Sequence, residues 1–520
     1  MKKGQGLTGT SPLVALMVLL LSSLLALSGC NAGPSGSERT SESYSDESGS
    51  EMGGPSFGSP DYDYYYEDSG GERYAEIDET GEQLAEDKPE ATFSLKVDTA
   101  SYSNFKRYVE DGMLPPPDAV RTEEFINWFS FDEPLEFASD GPFAFYTEVG
   151  PSPFDDEKNL ALVRVGTREV DRSDLPPSNL VFLIDISGSM NSYDKLPLLQ
   201  EAFAMLTETL GRDDRVSIVT YASGTYVALA GARGSDSRAI DDAIFSLSAG
   251  GSTAGEQGIQ EAYELAEEFF IEGGNNRVIL ATDGDFNVGL SDTDELSRFI
   301  AKKRQSDVYL SVLGFGTGNI RDDIMETLAT DGNGNYSYID SLKTAEKVLV
   351  DELGSNLFTV ADDVKAQVVF DPQTVHSYRL IGYENRMLQT RDFDDDRKDA
   401  GEIGAGADVV ALFEFEPTNE GTMEKSHLFD VRIRYKDPGD SESQLVEFPV
   451  ATAQAARGNS SDFDFVSAVA LFGDYLRSDG DGGRRAVREI VDLAENNLGT
   501  DTNGYRQDFV NLLHKLPSSR

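Results

Sequence analysis

Apolar residues fall along this 520-residue chain in several distinct patterns, and each predicts a different kind of structure. Residues 13–27 form one apolar run, LVALMVLLLSSLLAL, with Lys2 and Lys3 ahead of it. From residue 31 to about 90 aliphatic residues are sparse, and Ser, Gly, Glu, Asp and Tyr dominate, as in SGSERTSESYSDESGS and DYDYYYEDSGGE. Such text has too little to bury and repels itself, so it predicts a disordered acidic tether. Ordered patterning begins at residue 91 with ATFSLKV, an alternating strand that leads into a helix ending near Gly112. Pro115, Pro116 and Pro117 stop that helix, and a second amphipathic helix follows, carrying Phe125, Ile126, Trp128 and Phe129. FAFYTEVG and NLALVRVGT then read as strands.

From residue 179 the rhythm changes to hydrophobic strands separated by amphipathic helices. NLVFLID, RVSIVTYA, TYVALA, RVILATD, VYLSVLGFG and YSYID are the strands, with helices expected near 195–210, 237–247, 255–271, 294–303, 322–329 and from 342. That alternation predicts a parallel sheet covered on both faces. Past residue 358 the period becomes two, in VKAQVVF, SYRLIGYE, DVVALFEFEP, HLFDVRIRYKD and QLVEFPVA, and three helices close the chain. The expected fold is α/β: a Rossmann-like, doubly wound, mostly parallel sheet, flanked by a small N-terminal α+β segment and by a C-terminal antiparallel β unit plus helices. The expected boundaries are 1–29 for a signal segment, 30–90 for the tether, 91–175 for the N-terminal segment, 176–358 for the parallel sheet and 359–520 for the C-terminal unit. No internal repeat is present.

Charge and cysteine content narrow the function. Acidic residues outnumber basic ones 93 to 44, a net charge of −49, so nucleic acid is excluded as a partner by repulsion from its phosphates. One cysteine, Cys30, rules out an internal disulfide. The run of about 15 apolar residues ahead of it is short of the roughly 20 that span a bilayer and suits a secretory signal. LSGC, residues 27–30, resembles the bacterial lipobox, which implies acylation of Cys30 and loss of residues 1–29. The expected product is a lipoprotein of the bacterial cell envelope, held on a membrane by acyl chains rather than by a spanning helix. Asn31 follows the cysteine and leaves open which membrane that is.

The stretch NLVFLIDISGSMNSYDK, residues 179–195, drives a carboxylate, Asp185, onto the end of a buried strand and follows it with Ser187, Gly188 and Ser189. RVILATD ends the same way in Asp283. In an open parallel sheet ligands bind beyond the carboxyl ends of the strands, where the winding reverses. Sequential winding sets the first strand beside the fourth, which brings Asp185 and Asp283 together. Two close carboxylates repel unless a cation lies between them. Thr253, in GGSTAGEQG, adds a third hydroxyl on a loop before a helix. Asp185, Ser187, Ser189, Thr253 and Asp283 form an all-oxygen set, and His376, His427 and His514 all lie far along the chain. Hard oxygen donors suit Mg²⁺, with Mn²⁺ and Ca²⁺ as alternatives, and argue against zinc.

DISGSM, the GGSTAG threonine and ATDGDFNVG resemble the metal-ion-dependent adhesion site of the von Willebrand factor type A (VWA) family, whose pattern D-x-S-x-S…T…D-G is complete here. The resemblance implies that Ser187, Ser189 and Thr253 touch the ion directly, that Asp185 and Asp283 act mostly through water, and that a carboxylate from a protein ligand completes the shell. The flanks, VDTASYSNFKRYV…GMLPPPDAVRTEEFINWF and the region past 358, resemble bacterial VWA lipoproteins.

Other motifs carry less. SNFK at 103–106 lacks the K-T-G of penicillin-binding enzymes, and DGNGNY from Asp331 lacks the glycine and final acid of a calcium loop. GFGTG at 314–318 lacks the third glycine of a dinucleotide loop. No nucleophile stands beside the acidic set, so a binding module rather than an enzyme is expected. The alternatives are a metal-assisted hydrolase, for which Glu256, Asp285 and Asp194 are the nearest bases, and a scaffold whose ion is only structural.

Overall fold

The computed structural model describes residues 71–517 apart from 97, 138–140, 172–173, 253–255, 285–292, 419–426, 452–458 and 479–482. The signal segment, Cys30 and the tether up to residue 70 therefore lie outside the described residues, as do Thr253 and Asp285. No described helix is long and apolar enough to cross a membrane.

At the centre is a six-stranded sheet in the order Tyr336–Ile339, Tyr309–Phe315, Asn275–Thr282, Ser178–Asp185, Arg215–Tyr221, Thr225–Arg233. All its pairings are parallel except the last, where Thr225–Arg233 returns antiparallel along the edge. The two central strands, Ser178–Asp185 and Asn275–Thr282, are buried at every residue. Continuous apolar runs such as NLVFLI form there because both sheet faces are covered and no position is left for water. One face packs Val181, Leu183, Val278 and Leu280 against the helix Glu256–Glu268 and its neighbours. The other packs Leu180, Phe182 and Ile184 against the helix Leu196–Glu208, with Phe182 stacked on Phe203 at 4.3 Å.

The flanks make a single two-sheet body. Asn159–Thr167, which precedes the parallel sheet, lies between Phe143–Pro151 and Asp408–Pro417, and Val375–Ile381 continues that sheet. Glu90–Ser94 pairs with Thr359–Phe370 in the second sheet, which also holds His427–Lys436 and Gln444–Ala451. Apolar residues of both sheets, among them Phe93, Phe143, Phe370 and Phe413, form the shared core. The outer face of the first sheet is covered by helices Ala100–Glu110, Thr122–Ile126, Ser461–Arg477, Gly483–Glu495 and Tyr505–Lys515, around an aromatic cluster in which Tyr102 stacks on Trp128 at 4.9 Å. Residues 71–90, expected within the tether, are instead packed. Tyr74 and Ala85 are buried, Gln83–Leu84 pairs with Val375–Ile381, and the buried Glu72 forms two 2.8 Å bonds with Arg107. Docking through an ion pair and single apolar side chains leaves no periodic trace in a polar stretch.

Candidate metal centre

The strands Ser178–Asp185 and Asn275–Thr282 run side by side in parallel, with Ile184 opposite Ala281. Asp185 and Asp283 consequently leave the sheet at the same edge, as the winding argument predicts. Arg215–Tyr221 flanks the first strand on its other side, so this edge is the switch point of the sheet.

Local hydrogen bonds shape the loop after Asp185. The Ile186 amide donates to the Tyr221 carbonyl at 3.0 Å and prolongs the pairing by one residue. The Ser187 amide then turns back and donates to Asp185 Oδ1 at 2.7 Å. Ser187 Oγ lies 2.9 Å from Ser189 Oγ, which sets both hydroxyls on one side of the turn. Met190 is fully buried and anchors the far end of the loop in the core. The loop that carries Thr253 is tied to this one at two points. The Gly250 amide donates to the Ile186 carbonyl at 2.8 Å, and the Gly188 amide donates to the Gly251 carbonyl at 3.1 Å. Thr253 itself lies two residues past that contact, outside the described residues.

Asp185 and Asp283 are fully buried. The Thr282 hydroxyl donates to Asp185 Oδ2 at 3.4 Å, and the Gly284 amide donates to Thr282 Oγ1 at 3.2 Å. Burial pushes the Asp185 carboxyl up to about 6, bonds from Ser187 and Tyr221 oppose the rise, and the Asp283 carboxylate adds to it. Gly284 has φ +104°, and a Cβ there would collide with the Asn319 carbonyl. Glycine thus lets the strand end close against the loop 316–321. That loop is bordered in turn by the N-terminal residues, where the Arg73 amide donates to the Ile320 carbonyl at 2.9 Å and the Gly318 amide donates to Glu72 Oε1 at 3.1 Å.

A residue that the motif does not include also enters the site. Lys195 Nζ donates to Asp283 Oδ2 at 2.8 Å, and the two side chains are 8% and 0% exposed. The sequence contained one signal for it. Lys195 precedes the helix Leu196–Glu208, where the positive end of the helix dipole disfavours a cation, so a lysine there needs another partner.

The donor chemistry fits a hard divalent ion, since a buried carboxylate pair stands beside a loop of hydroxyls and every donor is oxygen. Among the described residues no three His, Cys, Asp or Glu side chains cluster as a metal site. Of the bases considered for hydrolysis, Asp194 is half-buried on the same loop as Lys195, while Asp285 and the Glu256 side chain are outside the described residues.

Three family models match successive stretches of the chain: von Willebrand factor over residues 68–162, von Willebrand factor type A domain over 179–351, and the C-terminal region of "Uncharacterized protein YfbK" over 355–518. Uncharacterized protein YfbK of Escherichia coli K12 is 42% identical over 463 residues, covering 85% of this chain and 80% of that protein. Inter-alpha-trypsin inhibitor heavy chain H3 of Mesocricetus auratus is 27% identical over 166 residues, 30% of this chain and 18% of that one. Among solved structures, a von Willebrand factor type A protein from Catenulispora acidiphila is 18% identical, covers 74% of this chain and 97% of its own, and gives a TM-score of 0.43. With a VWA match over the parallel sheet and an alignment to YfbK that runs through both flanks, the chain belongs to the YfbK family of VWA-domain proteins.

Proposed function

We propose that this protein is an envelope lipoprotein that grips a protein partner through a divalent ion at the edge of its parallel sheet. The observation that carries the reading is the pairing of Ser178–Asp185 with Asn275–Thr282, which ends two buried carboxylates at one edge beside the Ser187–Ser189 hydroxyls. VWA domains serve as interaction modules, and the buried site has polar groups suited to holding an ion. In the proposed site Ser187, Ser189 and Thr253 contact Mg²⁺ directly, with Mn²⁺ or Ca²⁺ as substitutes, and Asp185 and Asp283 hold it through water. The ion supplies a Lewis-acid position for an Asp or Glu side chain of the partner. Tyr193, 87% exposed on the same loop, offers aromatic contact area to such a partner. Cys30 carries the acyl anchor in this reading, and the acidic residues that follow space the folded body from the membrane.

The test measures folding, metal and capture separately. Wild type, Ser187→Ala and Asp283→Ala are compared by circular dichroism, by calorimetric titration with Mg²⁺ and Mn²⁺, and on arrays of Asp- or Glu-containing peptides with Asn or Gln counterparts, in Mg²⁺ and in EDTA. Folded variants that lose both the ion and the acidic peptides support the reading. A folded Ser187→Ala protein that captures as wild type does, in EDTA as in Mg²⁺, refutes it.

A further inference from the structure

We infer that Lys195 is a built-in counter-ion of this centre: it pairs with the Asp283 carboxylate and leaves the metal-loaded site with a surplus positive charge that selects an anionic partner group. The inference rests on the metal reading above and adds a residue outside its ligand pattern.

The geometry is specific. The ammonium is 2.8 Å from Asp283 Oδ2, and both side chains are buried. Its aliphatic stem lies across Gly316, at φ +75°, where any Cβ would collide with the stem. The backbone of the loop 316–321 is therefore shaped to admit this side chain. Lys195 also sits at the N-terminus of the helix Leu196–Glu208, where a cation opposes the helix dipole, so it does not serve the helix. Its burial is balanced at Asp283.

Charge counting gives the consequence. Among the described side chains buried in the site, Asp185 and Asp283 contribute two negative charges and Lys195 one positive. A divalent ion turns that net single negative charge into a net single positive one, and a partner carboxylate then brings the site to neutrality. Without Lys195 the metal-loaded site is already neutral, and an arriving carboxylate makes it negative. The lysine thus weakens metal binding and strengthens selection of an acid. Burial makes this charge matter, because a low local dielectric screens it poorly.

Lys195→Met keeps the length of the stem and removes the charge. In calorimetric titration of the full chain with Mn²⁺, this variant is expected to bind about tenfold or more tightly than wild type, since one repelling charge has left a poorly screened site. Lys195→Arg is expected to stay near wild type. In the absence of metal, Lys195→Met is expected to melt below wild type, and a second substitution, Asp283→Asn, to restore much of the loss, because the buried carboxylate that lost its cation is then gone. Should the methionine variant fail to fold, Lys195→Gln carries the same comparison. The inference is overturned if wild type binds Mn²⁺ and the neutral variant binds it equally or more weakly, or if Asp283→Asn adds to the loss of melting temperature. If neither wild type nor variant takes up Mn²⁺, the metal reading fails together with this one.

Discussion

Glu402 stands one residue before the short strand Ile403–Gly404, and its Oε1 is buried with no hydrogen-bond partner among the described residues. Burial pushes its carboxyl well above the ordinary range, to about 8, with Asp399 and then Asp362 on the raising side and Lys96 opposing them. The unfolded chain releases that proton near 4.5, whereas the folded chain keeps it until about 8. Between those values the folded state holds the extra proton, so this contribution to stability is complete below the lower value and is lost as pH rises through the upper one. The metal-free protein is therefore expected to lose melting temperature as pH rises from about 5 to about 8, and Glu402→Gln to flatten that slope. Thermal unfolding across this range checks it, and an unchanged slope in the variant assigns the alkaline sensitivity elsewhere. Residues of this kind are hidden in the sequence, because GEIGAG gives no sign that its glutamate is enclosed. Asp185, Ser187, Ser189 and Asp283 were legible for the opposite reason. Each lies at or just past the end of an apolar run, and a charge or hydroxyl there is conspicuous. The partner of Lys195 was not legible, because the stem that reaches Asp283 crosses a loop, at Gly316, that is distant in the chain.

Elements divide between those whose period announces them and those whose neighbours decide them. The strands of the parallel sheet and the late antiparallel strands follow their apolar patterns closely, since burial on both faces or on one face writes a different period into the chain. Which strands would pair across the flanks was not written there. Periodicity reports which face of Asn159–Thr167 is apolar, and only the folded chain sets Val163 opposite Ala411. The closeness of loops is likewise a tertiary property, and Gly284 is the clearest case. Its positive φ and the nearby Asn319 carbonyl leave no room for a side chain. Gly284→Ala is expected to cost about 1–3 kcal/mol, the usual range for forcing a side chain into a sparsely populated backbone region, and more if the loop 316–321 cannot yield. Because Asp283 is the preceding residue, the same substitution is expected to weaken Mn²⁺ binding. Chemical denaturation and calorimetry check the two effects, and an alanine variant as stable as wild type would show that the loop relaxes freely.

At the scale of the whole molecule, the parallel sheet and the two-sheet body are joined by buried charges as well as by apolar packing. Arg121, ahead of the helix Thr122–Ile126, donates to Asp322 Oδ2 at 2.6 Å on the helix Asp322–Asp331 and also pairs with Glu124. Arg386, from the loop after Val375–Ile381, donates to Asp98 at 2.6 Å and lies 3.1 Å from Glu326 on the same VWA helix. Asp98 closes the group by accepting the Tyr336 amide at 2.8 Å, at the start of an edge strand of the parallel sheet. Both arginines are buried, so removing one leaves carboxylates enclosed without their cation. Breaking such a pair from one side costs about 3–5 kcal/mol, whereas an apolar replacement of the whole group can be nearly neutral. Arg121→Met is therefore expected to destabilise the protein by about that amount. Arg121→Met combined with Asp322→Leu and Glu124→Leu is expected to recover part of it. The distribution of the loss is the sharper test. If the buried group couples the two bodies, the parallel sheet and the two-sheet body unfold in one transition in wild type, and Arg121→Met separates it into two when followed by calorimetry and by the fluorescence of Trp128, which lies in the helical layer. A single transition in the variant, shifted but not split, would mean that the apolar contacts alone unite the molecule. The charges would then be structural detail at a seam that the interleaved flanks had already closed.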